Sequence, residues 1–182
     1  NVHRPLGLGE MGFQDLCHKL DVIYDSDEGV ELARKEREFI SFHAILTSAK
    51  LANQKGVYDT YEGSLWSQGI LPIDTYVELM AQRGQEANVK TDLDWSIVRK
   101  AVAENGMRNS NVMAIAPTAS ISYITGVEQS IEPNFRTLYS YNNLSGNNIC
   151  LNSMLHFKRD MQDAGLWSKD LVAQLNANEG DV

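Results

Sequence analysis

The sequence predicts an α/β architecture. Three observations carry that expectation: long stretches with apolar residues at helical spacing, short apolar or extended runs between them, and glycine- or proline-containing turns that separate the two. The 182 residues are enough for one domain with a substantial core. Hydrophobic residues make up 43% and charged residues 22%, as in ordinary globular proteins. No repeat or low-complexity stretch interrupts the chain, so one domain over residues 1–182 without an internal boundary is expected.

The elements follow in order. The opening Arg4-Pro-Leu-Gly-Leu-Gly-Glu-Met-Gly-Phe13 is glycine-rich and leads into a helix over Phe13–Leu20. Gly7, Gly9 and Gly12 have the order of a dinucleotide fingerprint. That motif needs a preceding strand, and Arg4-Pro5 is poor strand material, so a close-packed helix start explains them better. A long helix should run from an N-cap at Ser26 to a stop at Gly56, with Asp27 and Glu28 favouring its positive start. Val30, Ala33, Ile40, Ala44 and Leu51 recur at helical spacing, joined by Leu32, Phe39 and Leu46. The second half is the more apolar and should be the more deeply buried. His43 reads as a packing residue of this helix.

Residues 57–75 are turn-rich and aromatic, a long ordered loop with a strand or helix start near Ile70. Asp74 and Thr75 then open a helix through Met80. Residues 83–91 form a polar surface loop. Asp94 caps the next helix, with Trp95, Val98 and Val102 on one face and Gly106 at its end.

Asn111-Val-Met-Ala-Ile-Ala116 is a short apolar run ending at Pro117, the best candidate for a buried strand of a parallel sheet. Pro117-Thr-Ala-Ser120 breaks it, and Ile121 to Thr125 begins a helix that stops at Gly126. A second loop covers Gln129–Asn134. Tyr139 to Leu144 is expected to be extended, Ser145-Gly-Asn-Asn148 to turn, and Ile149 to Asn152 to extend again. Tyr139 and Tyr141 read as packing residues. A helix from about Ser153 to Gly165 and another capped by Ser168 complete the pattern, which suits α/β or mixed packing rather than a bundle.

Charge narrows the function. Sixteen basic against 24 acidic residues give a net charge of −8, with no basic patch for a nucleic-acid partner. No apolar run is long enough to span a bilayer, and nothing resembles a signal peptide. Cys17 and Cys150 fit no metal or CxxC spacing and read as reduced, buried thiols of a cytoplasmic protein. Asn1 is not an initiator methionine and Asn178-Glu-Gly-Asp-Val182 closes no element, so a fragment or part of a split chain is expected.

An acidic chain that binds phosphate must neutralise it with oriented amides or a few arginines. Pro117-Thr-Ala-Ser-Ile-Ser122 has the composition for this: a proline ends the strand, small residues admit a ligand, and three hydroxyls lie within five positions. Free N–H groups of a helix starting near Ser120 would face outward. Spacing alone equally allows a Ser/Thr-capped helix start with no ligand.

The string Arg108-Asn-Ser-Asn-Val-Met-Ala-Ile-Ala-Pro-Thr-Ala-Ser-Ile-Ser122, followed by Ser130-Ile-Glu-Pro133 and Asn143-Leu-Ser-Gly146, closely resembles the large, catalytic subunits of ribonucleotide reductases. Gly69-Ile-Leu-Pro-Ile-Asp74 and Arg4–Phe13 match the same family in the same order, and the likeness is nearest to the aerobic class I type. The resemblance implies part of a ten-stranded α/β barrel, incomplete in this chain. It implies that Thr118, Ala119, Ser120 and Ile121 cradle the diphosphate of a ribonucleoside diphosphate, with Pro117 shaping the turn and Ser122 contributing. Arg108, Asn109 and Glu132 would stand behind the loop, Arg108 helping to neutralise phosphate and Glu132 as a structural carboxylate.

The implied reaction replaces the ribose 2′-hydroxyl by hydrogen through a thiyl radical, a carboxylate and a cysteine pair. Those groups precede this segment in the family, so no catalytic residue and no metal ligand is assigned here. No cofactor is expected on the segment itself. The radical would come from a metal-containing small subunit, or from adenosylcobalamin in the class II alternative, and nucleotide effectors would bind elsewhere. The implied partners are the remainder of the large subunit, the small subunit and a second large subunit in a homodimer. A non-catalytic nucleotide-binding or assembly module of the same family is the alternative from a different class.

Overall fold

A computed structural model describes residues 2–134, 136–137, 139–143, 146–150 and 152–180. Leu144, Ser145, Leu151 and the chain ends fall outside it, as do the side chains of Tyr139, Tyr141 and Cys150. Its elements are α1 (Phe13–Lys19), α2 (Asp27–Lys55), α3 (Pro72–Gln82), α4 (Trp95–Asn105), α5 (Ile121–Thr125), β1 (Tyr139–Asn143), β2 (Gly146–Cys150), α6 (Asn152–Asp163) and α7 (Lys169–Ala177). They fall into two compact units interleaved along the chain: residues 1–9 with 30–114, and residues 10–29 with 115–182.

The first unit is built on the second half of α2. Phe42, Ile45 and Ala49 are buried there against Tyr58, Leu71, Val98, Val102, Met107 and Val112. Removing a valine or leucine side chain from water contributes about 1.5–3 kcal/mol, so this cluster dominates the unit's stability. The forward half of α2 is different. Val30 and Phe39 are exposed (66% and 58%), because helical spacing there marks a face that has no apolar neighbour among the described residues. The Ser26 hydroxyl accepts the Gly29 N–H at 3.1 Å and so caps the helix start as expected.

Helix α3 starts earlier than Asp74. Pro72 takes the first helical position, where its missing N–H costs nothing, and Asp74 reaches back to accept the Leu71 N–H at 2.8 Å. Asp94 caps α4 by accepting the Ser96 N–H at 3.0 Å. Gly106 ends α4 with φ +70°, and a Cβ there would lie 2.4 Å from Val57 Cγ1, so only glycine fits.

The expected buried strand at 111–116 is present only as a parallel bridge between Leu8 and Met113. Leu6 and Leu8 N–H groups donate to the carbonyls of Asn111 and Val112, and Ala114 N–H returns a bond to Leu8. A Cβ on Gly7 would sit 3.0 Å from Ala114 Cβ, so that glycine permits the close approach. Val112 is buried but Ile115 is 48% exposed. A strand extends only as far as a neighbour supplies hydrogen bonds. Among the described residues the one neighbour is the short segment at 6–8, next to a proline that has no N–H to give.

The sole sheet among the described residues is the antiparallel pair β1–β2, with Asn143 opposite Gly146. Extended structure therefore resumes at Gly146, three residues before the expected Ile149. Helices α6 and α7 match their expected positions, the Ser168 hydroxyl accepting the Leu171 N–H at 3.1 Å. In the second unit, Phe13 and Cys17 of α1 are buried, as are Ser122, Glu128, Ser130 and Leu175. Cys17 forms no disulfide.

Candidate functional site

The loop after Pro117 lies in the second unit and is shaped by a residue in an unusual conformation. Thr118 has φ +52°, in the left-handed region that a β-branched residue enters at a cost of about 1–2 kcal/mol. Such a conformation persists when its surroundings impose it. Here the Thr118 carbonyl accepts the Ser122 N–H at 3.0 Å and closes the first turn of α5. Its Oγ1 accepts the Ser130 N–H at 2.8 Å, which fastens the loop to the following turn. That hydroxyl keeps its own proton available to donate.

The following turn is held in place by α1. Asp15 Oδ2 accepts the Glu128 N–H at 2.7 Å. The Glu128 carbonyl accepts the Gly12 N–H at 2.9 Å. Tyr24 donates its hydroxyl to the Ile131 carbonyl at 2.8 Å. Burial, and after it the charge of Glu132, raises the Tyr24 hydroxyl above its ordinary pKa, so it remains a donor. A continuous path of hydrogen bonds thus runs from α1 through residues 128–130 to Thr118.

The loop amides are less committed. Among the described residues, the N–H groups of Thr118, Ala119, Ser120 and Ile121 donate to no protein acceptor. Ser120 forms the N-cap without a side-chain hydrogen bond. Ala119, Ser120 and Ile121 are exposed. Ser122 is the opposite, fully buried, and its Oγ has no partner among the described residues. Gly126 ends α5 in the left-handed conformation, its N–H donating to the Ser122 carbonyl at 2.8 Å. Four successive uncommitted donors and a spare hydroxyl proton on Thr118 make an arrangement suited to an oxyanion.

Of the residues expected behind the loop, Arg108 and Asn109 belong to the first unit and Glu132 to the second. Arg108 belongs to the first unit, where its guanidinium donates to the carbonyls of Lys55 and Gly56 at 2.8 and 3.1 Å and caps the end of α2. Asn109 is buried. Its Oδ1 accepts the Ser48 hydroxyl at 3.0 Å and its Nδ2 donates to the Arg4 carbonyl at 2.9 Å, so it anchors the entry to the 111–114 segment. Glu132 is exposed in the second unit, its N–H bonded to the Gln129 carbonyl.

A cavity of about 360 Å³ lies within the first unit, walled by Trp66, Tyr76, Trp95 and Met113 with Arg37 at its edge. No group of three His, Cys, Asp or Glu side chains among the described residues is arranged to hold a metal ion. Among the described residues, no helix is long and apolar enough to cross a membrane.

The whole of residues 1–182 matches the model of the ribonucleotide reductase barrel domain. The chain belongs to that family. It is 45% identical, over its full length, to the ribonucleoside-diphosphate reductase subunit alpha of Chlamydia trachomatis, and covers 17% of that subunit. It is 42% identical to the corresponding subunit of Helicobacter pylori over 79% of the chain and 18% of the relative. Against the large subunit of Arabidopsis thaliana it is 36% identical over 99% of the chain and 21% of the relative. The chain therefore spans about a fifth of the length of these reductase relatives. The Thr-Ala-Ser-Ile loop and its brace lie inside the matched region of the barrel family.

Two features escaped sequence reasoning. The left-handed Thr118 had no signal, because threonine is a poor candidate for that conformation. The brace had a faint one: Asp15 and His18 stand three apart on a predicted helix, but their partners lie more than a hundred residues further on.

Proposed function

We propose that this chain is the substrate-phosphate segment of a ribonucleoside-diphosphate reductase large subunit, with Thr118, Ala119, Ser120 and Ile121 receiving the diphosphate. Pro117 ends the preceding segment, and the Thr118 hydroxyl adds a donor. Arg108 and Asn109 hold backbone of the first unit, and Glu132 lies in the turn that follows the loop. The observation that carries this reading is the run of four uncommitted amides within a loop of a reductase-family chain. A diphosphate brings the negative charge those amides lack, and hydrogen bonds to a charged acceptor contribute about 1.5–3 kcal/mol each.

On this reading the segment binds and orients; it does not perform the radical step. Holding the diphosphate places the ribose against the reacting groups, which belong to the rest of the large subunit. Both compact units are parts of one ten-stranded α/β barrel domain, whose other strands would complete the pairing begun at Leu8 and Met113. The small subunit supplies the radical from its metal centre, and the large subunit works as a cytoplasmic homodimer.

The test uses the intact large subunit with its radical-generating partner. A ribonucleoside diphosphate is reduced with a kcat/KM at least about a hundredfold above that of the unphosphorylated nucleoside, the factor expected from two charge-assisted bonds. Equal handling of the two substrates would overturn the reading.

A further inference from the structure

Three titratable side chains in the second unit meet where α1 packs on α6. His156 Nε2 lies 2.8 Å from Asp15 Oδ1, and both side chains are largely buried, at 14% and 10% exposure. The carboxylate accepts, so Nε2 carries a proton in this contact. His18, one turn beyond Asp15 on α1, stacks on the His156 ring with centroids 5.1 Å apart and planes within 16°. Its Nε2 meets Asn134 Nδ2 at 3.1 Å, a bond in which the amide donates and the ring nitrogen accepts. The other Asp15 oxygen holds the Glu128 N–H. One carboxylate thus ties α6 to the turn that fastens Thr118.

We propose that Asp15, His18 and His156 form a proton-sensitive clasp between α1 and α6, closed while His18 is neutral, that controls how firmly the 128–130 turn and Thr118 are held. Its effect on substrate rests on the phosphate reading given above; the clasp itself does not. The charged groups around His18 are Asp15 on its own helix and His156, Asp160 and Arg159 on α6. Burial, then the charge of His156, pushes the His18 imidazole below its ordinary value of 6.5, with Arg159 adding to this and Asp15 and Asp160 opposing it. A lowered histidine value means that the open state binds the proton more readily. The clasp is therefore at full strength above 6.5 and weakens as the pH falls through the lowered value. A proton on His18 takes away the acceptor that Asn134 uses and sets a positive charge against the His156 ring.

Hydrogen exchange of the intact large subunit, normalised for the chemical rate at about pH 7.5 and about pH 5.8, tests this. Segments covering 10–20 and 126–132 should lose protection at the lower pH, because the open state takes up a proton that the closed state excludes. His18→Phe, which keeps a stacking ring without a titrating group, should abolish the pH step. His18→Gln should do the same and serves if the phenylalanine variant misfolds. The clasp is refuted if the wild type shows no step, or if the step persists in the folded His18 variant. KM for a ribonucleoside diphosphate should rise with the step in the wild type and stay flat in the variant. A step in exchange with an unmoved KM would uphold the clasp and remove the phosphate reading.

Discussion

Replacing Ser120 by glutamate in the intact large subunit raises KM for a ribonucleoside diphosphate by about a hundredfold or more while leaving the subunit folded. Ser120 is exposed and makes no side-chain cap hydrogen bond, so the fold loses little by its replacement. The new carboxylate would stand among the donors of Thr118–Ile121 and compete with the diphosphate for them. Two like charges at about 4 Å in a partly screened site repel by several kcal/mol, and about 3 kcal/mol already corresponds to more than a hundredfold in affinity. Ser120→Ala is the control. It keeps the backbone N–H, so KM changes by less than about fivefold, the equivalent of one modest side-chain hydrogen bond. A hundredfold loss in the alanine variant as well would transfer the role from the amides to the hydroxyl.

The second large effect concerns Glu38, in the first unit. Its side chain is 7% exposed and accepts four sets of bonds. Arg34 donates at 2.8 Å, the N–H groups of Asp92 and Leu93 at 2.9 and 3.0 Å, and the Trp95 indole at 3.0 Å. These bonds fix the polar arm before α4 onto α2, and Lys90 adds an ion pair with Glu31 at 2.8 Å. Glu38→Ala leaves two backbone N–H groups and an indole N–H without their acceptor, while Arg34 keeps its bonds to Glu31 and Asp92. Each buried donor left without an acceptor costs about 1–3 kcal/mol, so the three together cost at least about 3 kcal/mol. Proteolytic cleavage between residues 83 and 94 should then accelerate by at least about a hundredfold, since about 3 kcal/mol shifts the opening equilibrium by that factor. Unchanged cleavage would show that the arm is held by something other than Glu38.

The same network has a pH signature. Burial opposes the charge on Glu38, but the N–H groups of Asp92 and Leu93, the Trp95 indole and Arg34 together hold its carboxyl below the ordinary value of 4.5. A lowered carboxylate value contributes stability that is complete above 4.5 and is lost as pH falls through the lowered value. The arm therefore loosens in acid from below about 4.5, lower than the range in which the His18 clasp opens.

Helices were legible where local chemistry decides them. Ser26 and Gly56 bracket α2, Asp94 and Gly106 bracket α4, and Ser168 opens α7, because capping depends on residues a few positions apart. Burial along α2 was half legible. The second half is the more deeply buried, as expected, but through Phe42, Ile45, Ala49 and Ala52; the expected Ile40, Ala44 and Leu51 are only partly buried, and Val30 and Phe39 are exposed. Strand content was the least legible. Asn111–Ala116 has the composition of a buried strand, yet pairing depends on a neighbour that composition does not specify, and among the described residues only Leu8 provides one. At the loop, proline, small residues and hydroxyls marked the position. The brace from Asp15 to Glu128 spans more than a hundred residues, so it left only a faint local trace.

The most direct test of the account asks whether the free amides receive phosphate. Hydrogen exchange of the segment 117–122 is measured in the intact large subunit with a ribonucleoside diphosphate, with the matching nucleoside, and with neither. The diphosphate should slow exchange at Thr118–Ile121 by at least about tenfold, and the nucleoside should not, because the protection comes from phosphate oxygens accepting those N–H groups. Equal protection by the nucleoside, or none from the diphosphate at saturation, would contradict the assignment of this loop as the phosphate cradle.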